Sequence, residues 1–424
     1  MREWLNERIM KNVFYILFVL RFIFGNSLSY GAEIRVNQKT AIKSIGQALA
    51  LAHSGDTIII DGGVYKEGNV LITKSIALIG INNPIIDGEG KNEIFSVQAN
   101  NVLIQGITFQ NVGISSLKDN AAIRIIKSKY CIVRKNTLLN TFFGVYLENS
   151  DSCTIEHNII KGQAVRETTS GNAIHLWYSK NATIRNNQVA GHRDGIYLEF
   201  VEGSRIHGNK SQGNLRYGLH FMFSNDNVYT NNQFIKNGAG VAVMYSKRIE
   251  MTNNTFKNNE GAAAYGILLK DIVDSRIEKN NFEKNTTGIL AEGSNRLVLK
   301  NNNFIRNGWA VKIMGSCENL DFTRNNFIGN TFEMSVSSKN ISGHLLKENF
   351  WSSYSGYDLD KDGIGDVPHR PVRLFSYLIE QVPTAIVLIR SLFIDLLELA
   401  EKITPSLTPA NLIDEKPKMA INHW

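Results

Sequence analysis

Asn232-Gln233-Phe234, Asn254-Thr255-Phe256, Asn280-Asn281-Phe282, Asn302-Asn303-Phe304 and Asn325-Asn326-Phe327 repeat one pattern, an Asn two residues before an apolar side chain. The same Asn continues towards the N-terminus at Asn209, Asn187, Asn158 and Asn136. From Asn136 onwards the steps are 22, 29, 22, 23, 22, 26, 22 and 23 residues. Ile107 takes the equivalent place one interval earlier. A second ladder places a small residue before an apolar pair, at Gly144, Ala173, Gly195, Gly218, Gly240, Gly266, Gly288 and Ala310. Its steps are 29, 22, 23, 22, 26, 22 and 22. Both ladders lengthen at the same two places, so residues 162–172 and 258–265 are insertions into one regular unit. Within a unit apolar and polar residues alternate, as at Val145 and Leu147 or Ile174 and Leu176, which is strand periodicity. Short strands in a unit near 22 residues predict a parallel β-helix, whose coils stack at about 4.8 Å.

Composition agrees. The chain of 424 residues has 47 Asn against 39 Asp and Glu, and 37 of those Asn lie between positions 100 and 349. Asn is depleted from ordinary strands, so it must fill special, repeated positions. At a coil corner its amides can stack, and it tolerates the left-handed backbone of a tight turn. Proline, which would remove a ladder donor, is absent from 85 to 367. The fold class is all-β: a right-handed parallel β-helix with an N-terminal helical cap and a C-terminal helical tail. Residues 41–53 have helical periodicity and suit the cap. The boundaries read as 1–31 signal, 32–350 β-helix, 351–374 a capping segment with an Asp-rich loop, and 375–424 a helical docking tail.

The net charge of +7 is spread among acidic residues without a basic, aromatic-interleaved run, which argues against nucleic-acid binding. At the N-terminus Lys11 precedes an apolar run over 13–20, then Arg21, Phe22-Ile23-Phe24 and small or polar residues to Ala32. That is the order of a secretory signal. Cys131 and Cys153 share a ladder position five residues before Asn136 and Asn158. A disulfide and a packed pair of thiols are both open to them.

Register turns spacing into proximity. On the strand after the second ladder the outward positions are Tyr146 and Glu148, His175 and Trp177, Tyr197 and Glu199, His220 and Met222, then Ala242 and Met244. Imidazole and thioether are cuprous ligands, which makes His175, His220, Met222 and Met244 candidate copper ligands. The same residues would also suit a protein-contact face. No stacked acidic cluster with an Arg or Lys partner supports a polysaccharide lyase, and the Asp-Pro-His of uronate epimerases is missing. A lyase or epimerase, or a passive glycan-binding solenoid, remains the alternative. Asp358, Asp360, Asp362 and Asp366 with Gly363 match the first part of a calcium loop, whose last ligand position holds His369 instead of Glu. The apolar segment 375–403 is broken by Pro383, Arg390, Asp395 and Glu398. Amphipathic helices, presenting residues such as Leu388, Leu392 and Leu396 to a partner, fit it better than a membrane span.

Arg193-Asp194-Gly195-Ile196-Tyr197, Arg216-Tyr217-Gly218-Leu219-His220-Phe221-Met222 and Tyr357-Asp358-Leu359-Asp360-Lys361-Asp362-Gly363 resemble the NosD family of periplasmic nitrous-oxide reductase maturation proteins. Ser54-Gly55-Asp56-Thr57-Ile58, Gly63-Val64-Tyr65 and the hydrophobic tail fit as well, so the resemblance spans almost the whole mature chain. It implies a non-enzymatic periplasmic subunit held at the inner membrane by an ABC-type ATPase and its permease. Copper would come from a copper-chaperone lipoprotein and go to nitrous-oxide reductase. Tyr197, Arg216 and Tyr217 are the expected docking residues on the coil face. No Gly-x-x-x-x-Gly-Lys-Ser/Thr loop occurs, so any ATP chemistry lies in a partner.

Overall fold

The computed structural model describes residues 31–424 apart from 116, 262–263, 338–342, 390 and 405–411. The expected signal segment therefore lies outside the described residues, save its last position. The chain winds as a right-handed parallel β-helix of about 14 turns, with three parallel sheets of 14, 12 and 13 strands. Each strand pairs with the strand one coil before and one coil after it, as in Tyr217–Met222 between Ile196–Glu199 and Ala239–Met244. Inward residues form one continuous apolar core. Its axis carries a stack of rings, Phe234, Phe256, Phe282, Phe304, Phe327 and Trp351, with centroids 5.3, 4.7, 4.9, 4.9 and 4.0 Å apart. The offset-free register of the repeat puts identical side chains over one another, so each ring buries its faces on its neighbours.

The Asn ladder is a hydrogen-bonded column. Asn232 Nδ2 donates to Ile206 O and to Asn254 Oδ1 at 3.0 Å, while Asn232 Oδ1 accepts from the Asn209 N–H at 2.9 Å. One detail of the corner differs from expectation. The left-handed residue is the one before the ladder Asn, such as Asn231 (φ 55°), Asn253 (φ 56°) and Lys279 (φ 55°). The ladder Asn is kept for its amide, which saturates backbone groups that a turn would otherwise leave unpaired. The small-residue ladder has a different cause too. A Cβ on Gly218 would sit 2.6 Å from Gly240 O, so the requirement is close approach between coils, not a left-handed turn. A second Asn column, Asn214, Asn237, Asn259, Asn285, Asn307 and Asn330, runs parallel to the first.

Both ends are closed. At the N-terminal end α1 (Ile45–Leu51), shorter than the expected 41–53, buries Ile45 and Ala48 on the first coils. Ser44 caps it by accepting from Gln47 N, and Glu67 accepts from the N–H groups of Ile45 and Gly46. At the other end α2 (Leu374–Gln381) and α3 (Leu392–Ile403) flank a short 3-10 segment, Pro383–Leu388. The tail expected to be helical over 375–424 is helical only to Ile403. The described residues 412–424 are irregular and return to the coils, where Asp414 bridges Leu346 and His369, and Lys418 bridges Phe350. Asp414 Oδ2 accepts from Asn349 N, Asn349 Nδ2 and Trp351 Nε1 at 3.0–3.1 Å, so a carboxylate terminates the Asn ladder. Among the described residues no helix is long and apolar enough to cross a membrane.

Candidate metal and docking face

One column of the 12-stranded sheet reads Arg124, Tyr146, His175, Tyr197, His220 and Ala242 in register, coil after coil. The next outward column reads Ile126, Glu148, Trp177, Glu199, Met222 and Met244. Met222 and Met244 are thus direct cross-strand neighbours, and His220 lies two residues from Met222 on the same side of one strand. His175 is held apart. The Tyr197 ring stands between the two imidazoles, 4.8 Å from His175 and 4.6 Å from His220, centroid to centroid. The four candidate ligands therefore divide into His220, Met222 and Met244 together, and His175 two coils away.

Strand alternation sets the side of the sheet on which these residues lie but not their exposure. His175 and His220 are 6% and 3% exposed, although they point away from the core. Aromatic neighbours cover them: Tyr146 lies 4.4 Å from the His175 ring, and Tyr217 lies 4.8 Å from that of His220. Burial, with the charges of Arg216 and Arg193, lowers His220 to about 3, so its imidazole is neutral at neutral pH. Burial likewise lowers His175 to about 3, helped by Arg193, Arg124 and His220. Neither His220 nitrogen has a hydrogen-bond partner, and His175 Nε2 and Asn172 Oδ1 are also unpartnered. Buried polar atoms are rarely left so. A neutral imidazole with a free lone pair beside two thioethers is a donor set that fits a cuprous ion.

Tyr197 is half-buried, with its ring between the two imidazoles. Arg216 lies over the Tyr217 ring at 4.7 Å. Beside the Met column runs a ladder that the sequence reading missed: Tyr178, Phe200, Phe223 and Tyr245, with ring centroids 4.5, 5.3 and 5.0 Å apart. Their steps of 22, 23 and 22 residues were the available signal. All four have left-handed φ near 50°, at the corner where other coils use Asn149, Asp271 and Gly293. Because the rings cover one another's faces, they offer edges and not the open platforms on which a sugar stacks.

At the C-terminal end Leu388, Leu392 and Leu396 are 41%, 72% and 56% exposed. Leu392, Leu396, Leu399 and Ile403 form one stripe of α3, while Ile394 packs on Phe332, Phe375 and Ile379. Asp358, Asp360 and Asp362 bring carboxylate oxygens within 4.8 Å of one another. Asp366 turns to a different task and accepts from Leu359 N. His369 is not part of that loop's cluster, since its Nε2 lies 2.9 Å from Glu333 Oε2. Cys131 and Cys153 are buried free thiols. The hydrogen bond with Cys131, and burial, push the Cys153 thiol up.

Comparison with known proteins follows the same lines. Residues 28–189 match the right-handed β-helix region model, and residues 160–356 match "Periplasmic copper-binding protein (NosD)". The second span contains every residue of the His/Met face. Over that span the chain is similar to the NosD family. Two relatives named "Probable ABC transporter binding protein NosD" agree: that of Pseudomonas aeruginosa is 29% identical, over 83% of this chain and 86% of its own length. That of Stutzerimonas stutzeri is 26% identical, over 85% and 86%. Among solved structures, the catalytic unit of a GH87 α-1,3-glucanase from Streptomyces thermodiastaticus superposes with a TM-score of 0.56 at 15% identity. It covers 76% of this chain and 71% of the glucanase, a likeness of fold alone.

Proposed function

We propose that this chain is a periplasmic accessory subunit of an ABC-type assembly that passes copper towards the copper centres of nitrous-oxide reductase. The observation that carries the copper reading is the unpartnered, neutral His220 imidazole beside the paired Met222 and Met244. Copper is cargo here, so a soft and shallow donor set suits it: thioethers favour the cuprous state and leave it exchangeable. Met222 and Met244 are only partly buried, which gives a donor protein access to sulfur before the imidazole. The exposed stripe of α3 supplies the contact to a membrane subunit, and the printed names of both relatives support an ABC partner. A copper-chaperone lipoprotein is the donor in this reading, and the β-helix is a scaffold without catalytic residues.

The test is cuprous affinity of the purified chain, measured by competition with a chromogenic chelator. Replacing Met222 and Met244 with Ala is expected to weaken binding by at least about tenfold per thioether pair, and His220→Ala to do the same. His175→Ala is expected to have little effect. Affinity unchanged in the Met222→Ala/Met244→Ala chain would overturn the copper assignment. Calcium is proposed only as a structural ion of the Asp358, Asp360 and Asp362 turn; a thermal midpoint indifferent to added calcium would remove it.

A further inference from the structure

We infer that Arg193 and Arg216, with the unpartnered imidazoles of His175 and His220 beside them, form a carboxylate-binding site at the entrance to the His/Tyr column. The two arginines occupy the same position on adjacent coils, the Arg216 N–H donating to Arg193 O at 2.9 Å. Like charges stacked in register are unfavourable unless something answers them. Arg193 Nε reaches the buried Asp194 at 3.3 Å. Arg216 has no carboxylate within ion-pair distance among the described residues and rests on the Tyr217 ring. The buried Asp194 acts on both guanidiniums and Glu167 acts on Arg216 from further off, so the carboxylate in ion-pair contact is taken by Arg193. The coils before and after place Gly171 and Gly238 in this column, so the stacked neighbours themselves add no side chain over the guanidiniums.

The imidazoles add direction. Asn172 Nδ2 lies 3.0 Å from His175 Nδ1 and donates to it, so the His175 proton sits on Nε2, a buried donor with no acceptor. His220 must also carry one N–H, and neither of its nitrogens has a partner. Unanswered donors beside a guanidinium without an ion-pair contact call for an anion with two oxygens in a plane. A carboxylate meets a guanidinium in paired fashion. One nitrogen of His220 can donate to it while the other keeps its lone pair, the arrangement by which a carboxylate orients a metal-binding imidazole. The carboxylate comes either from an Asp or Glu of a docking protein or from a free organic acid.

The copper-free full chain, titrated calorimetrically at fixed ionic strength with sodium acetate and with acetyl-Gly-Glu-Gly-amide, tests this. Saturable binding is expected for at least one, weakened about tenfold by Arg216→Gln and by Arg193→Gln, since a charge-assisted pair is removed. Arg248→Gln, whose residue is paired with Asp226 elsewhere, is expected to change nothing. Arg216→Lys, which keeps charge and loses the paired geometry, should fall between and serves if the Gln variants do not fold. Tighter binding of the peptide assigns the carboxylate to a protein partner, and equal binding assigns it to a free acid. No saturable binding of either probe, or binding that survives both Arg216→Gln and Arg193→Gln, overturns the site. Because no copper is present, this failure is distinct from failure of the copper reading.

Discussion

Burial holds His175 and His220 near 3 in the fold, against an ordinary 6.5, and His192, enclosed beside Thr141, near 4. An imidazole depressed on folding means that the unfolded chain binds more protons between 6.5 and the folded value. The stability it contributes is therefore fully present above 6.5 and is lost as pH falls towards 3, by up to about 1.4 kcal/mol per pH unit for each group. The urea midpoint should drop steadily from pH 7 to pH 4. His220→Phe, which keeps a ring between Tyr197 and Tyr217, should flatten part of that slope while abolishing its share of cuprous affinity. A slope identical to the parent's would mean that His220 is not the buried neutral group. At this scale the sequence was half legible. Alternation told that His220 faces away from the core, but not that Tyr146, Tyr197 and Tyr217 would close over the imidazoles, because lateral ring packing depends on rotamers and not on spacing.

Elements are where the repeat was most readable and where it misled in one respect. The Asn136-to-Asn325 ladder fixed coil length, both insertions and the register that places Met222 on Met244. The parallel column from Asn214 to Asn330 was equally available, each member five residues after one of the first, and went unread because one ladder already accounted for the period. The returning segment around Asp414 was not legible at all. It joins the coils through isolated bridges, too short for any alternating pattern, and through residues such as Asp414, which accepts three hydrogen bonds from the last coil, and Asn422, whose backbone pairs with the Asn326 side chain. Asp414→Ala leaves those buried donors without an acceptor and should cost on the order of 2–4 kcal/mol. The loss should appear as faster hydrogen exchange at Asn349 and Trp351 with the central coils unchanged, since repeat proteins open from their ends. Asp414→Asn keeps one oxygen for the ladder and should cost less. Equal exchange in parent and Asp414→Ala would show that the cap is held elsewhere.

As a whole molecule the protein separates its surfaces along one axis. The His/Met face lies in the middle coils, and the apolar stripe of α3 lies at the C-terminal end beside Phe332 and Trp309. Leu392→Glu with Leu396→Glu alters two exposed side chains, so the thermal midpoint should stay within a few degrees and cuprous affinity should hold. Co-purification with the membrane subunit should be lost, and its persistence would mean that α3 is not the contact. The amphipathic character of this tail was legible from its interrupting charges. Its division into helices and a returning segment was not, because the return depends on meeting Asn349 in space.

That return imposes an order in time. Asp414 follows every coil in the chain, so it emerges from the ribosome, and from any export channel, after the ladder it closes. Until then the last coil presents Asn349 and Trp351 with open donors and a raw strand edge. A chain cut short by mistranslation would keep that edge and be prone to pair with others or to be degraded. The closing carboxylate thus ties burial of the last coil's donors to synthesis of the residues that follow the solenoid.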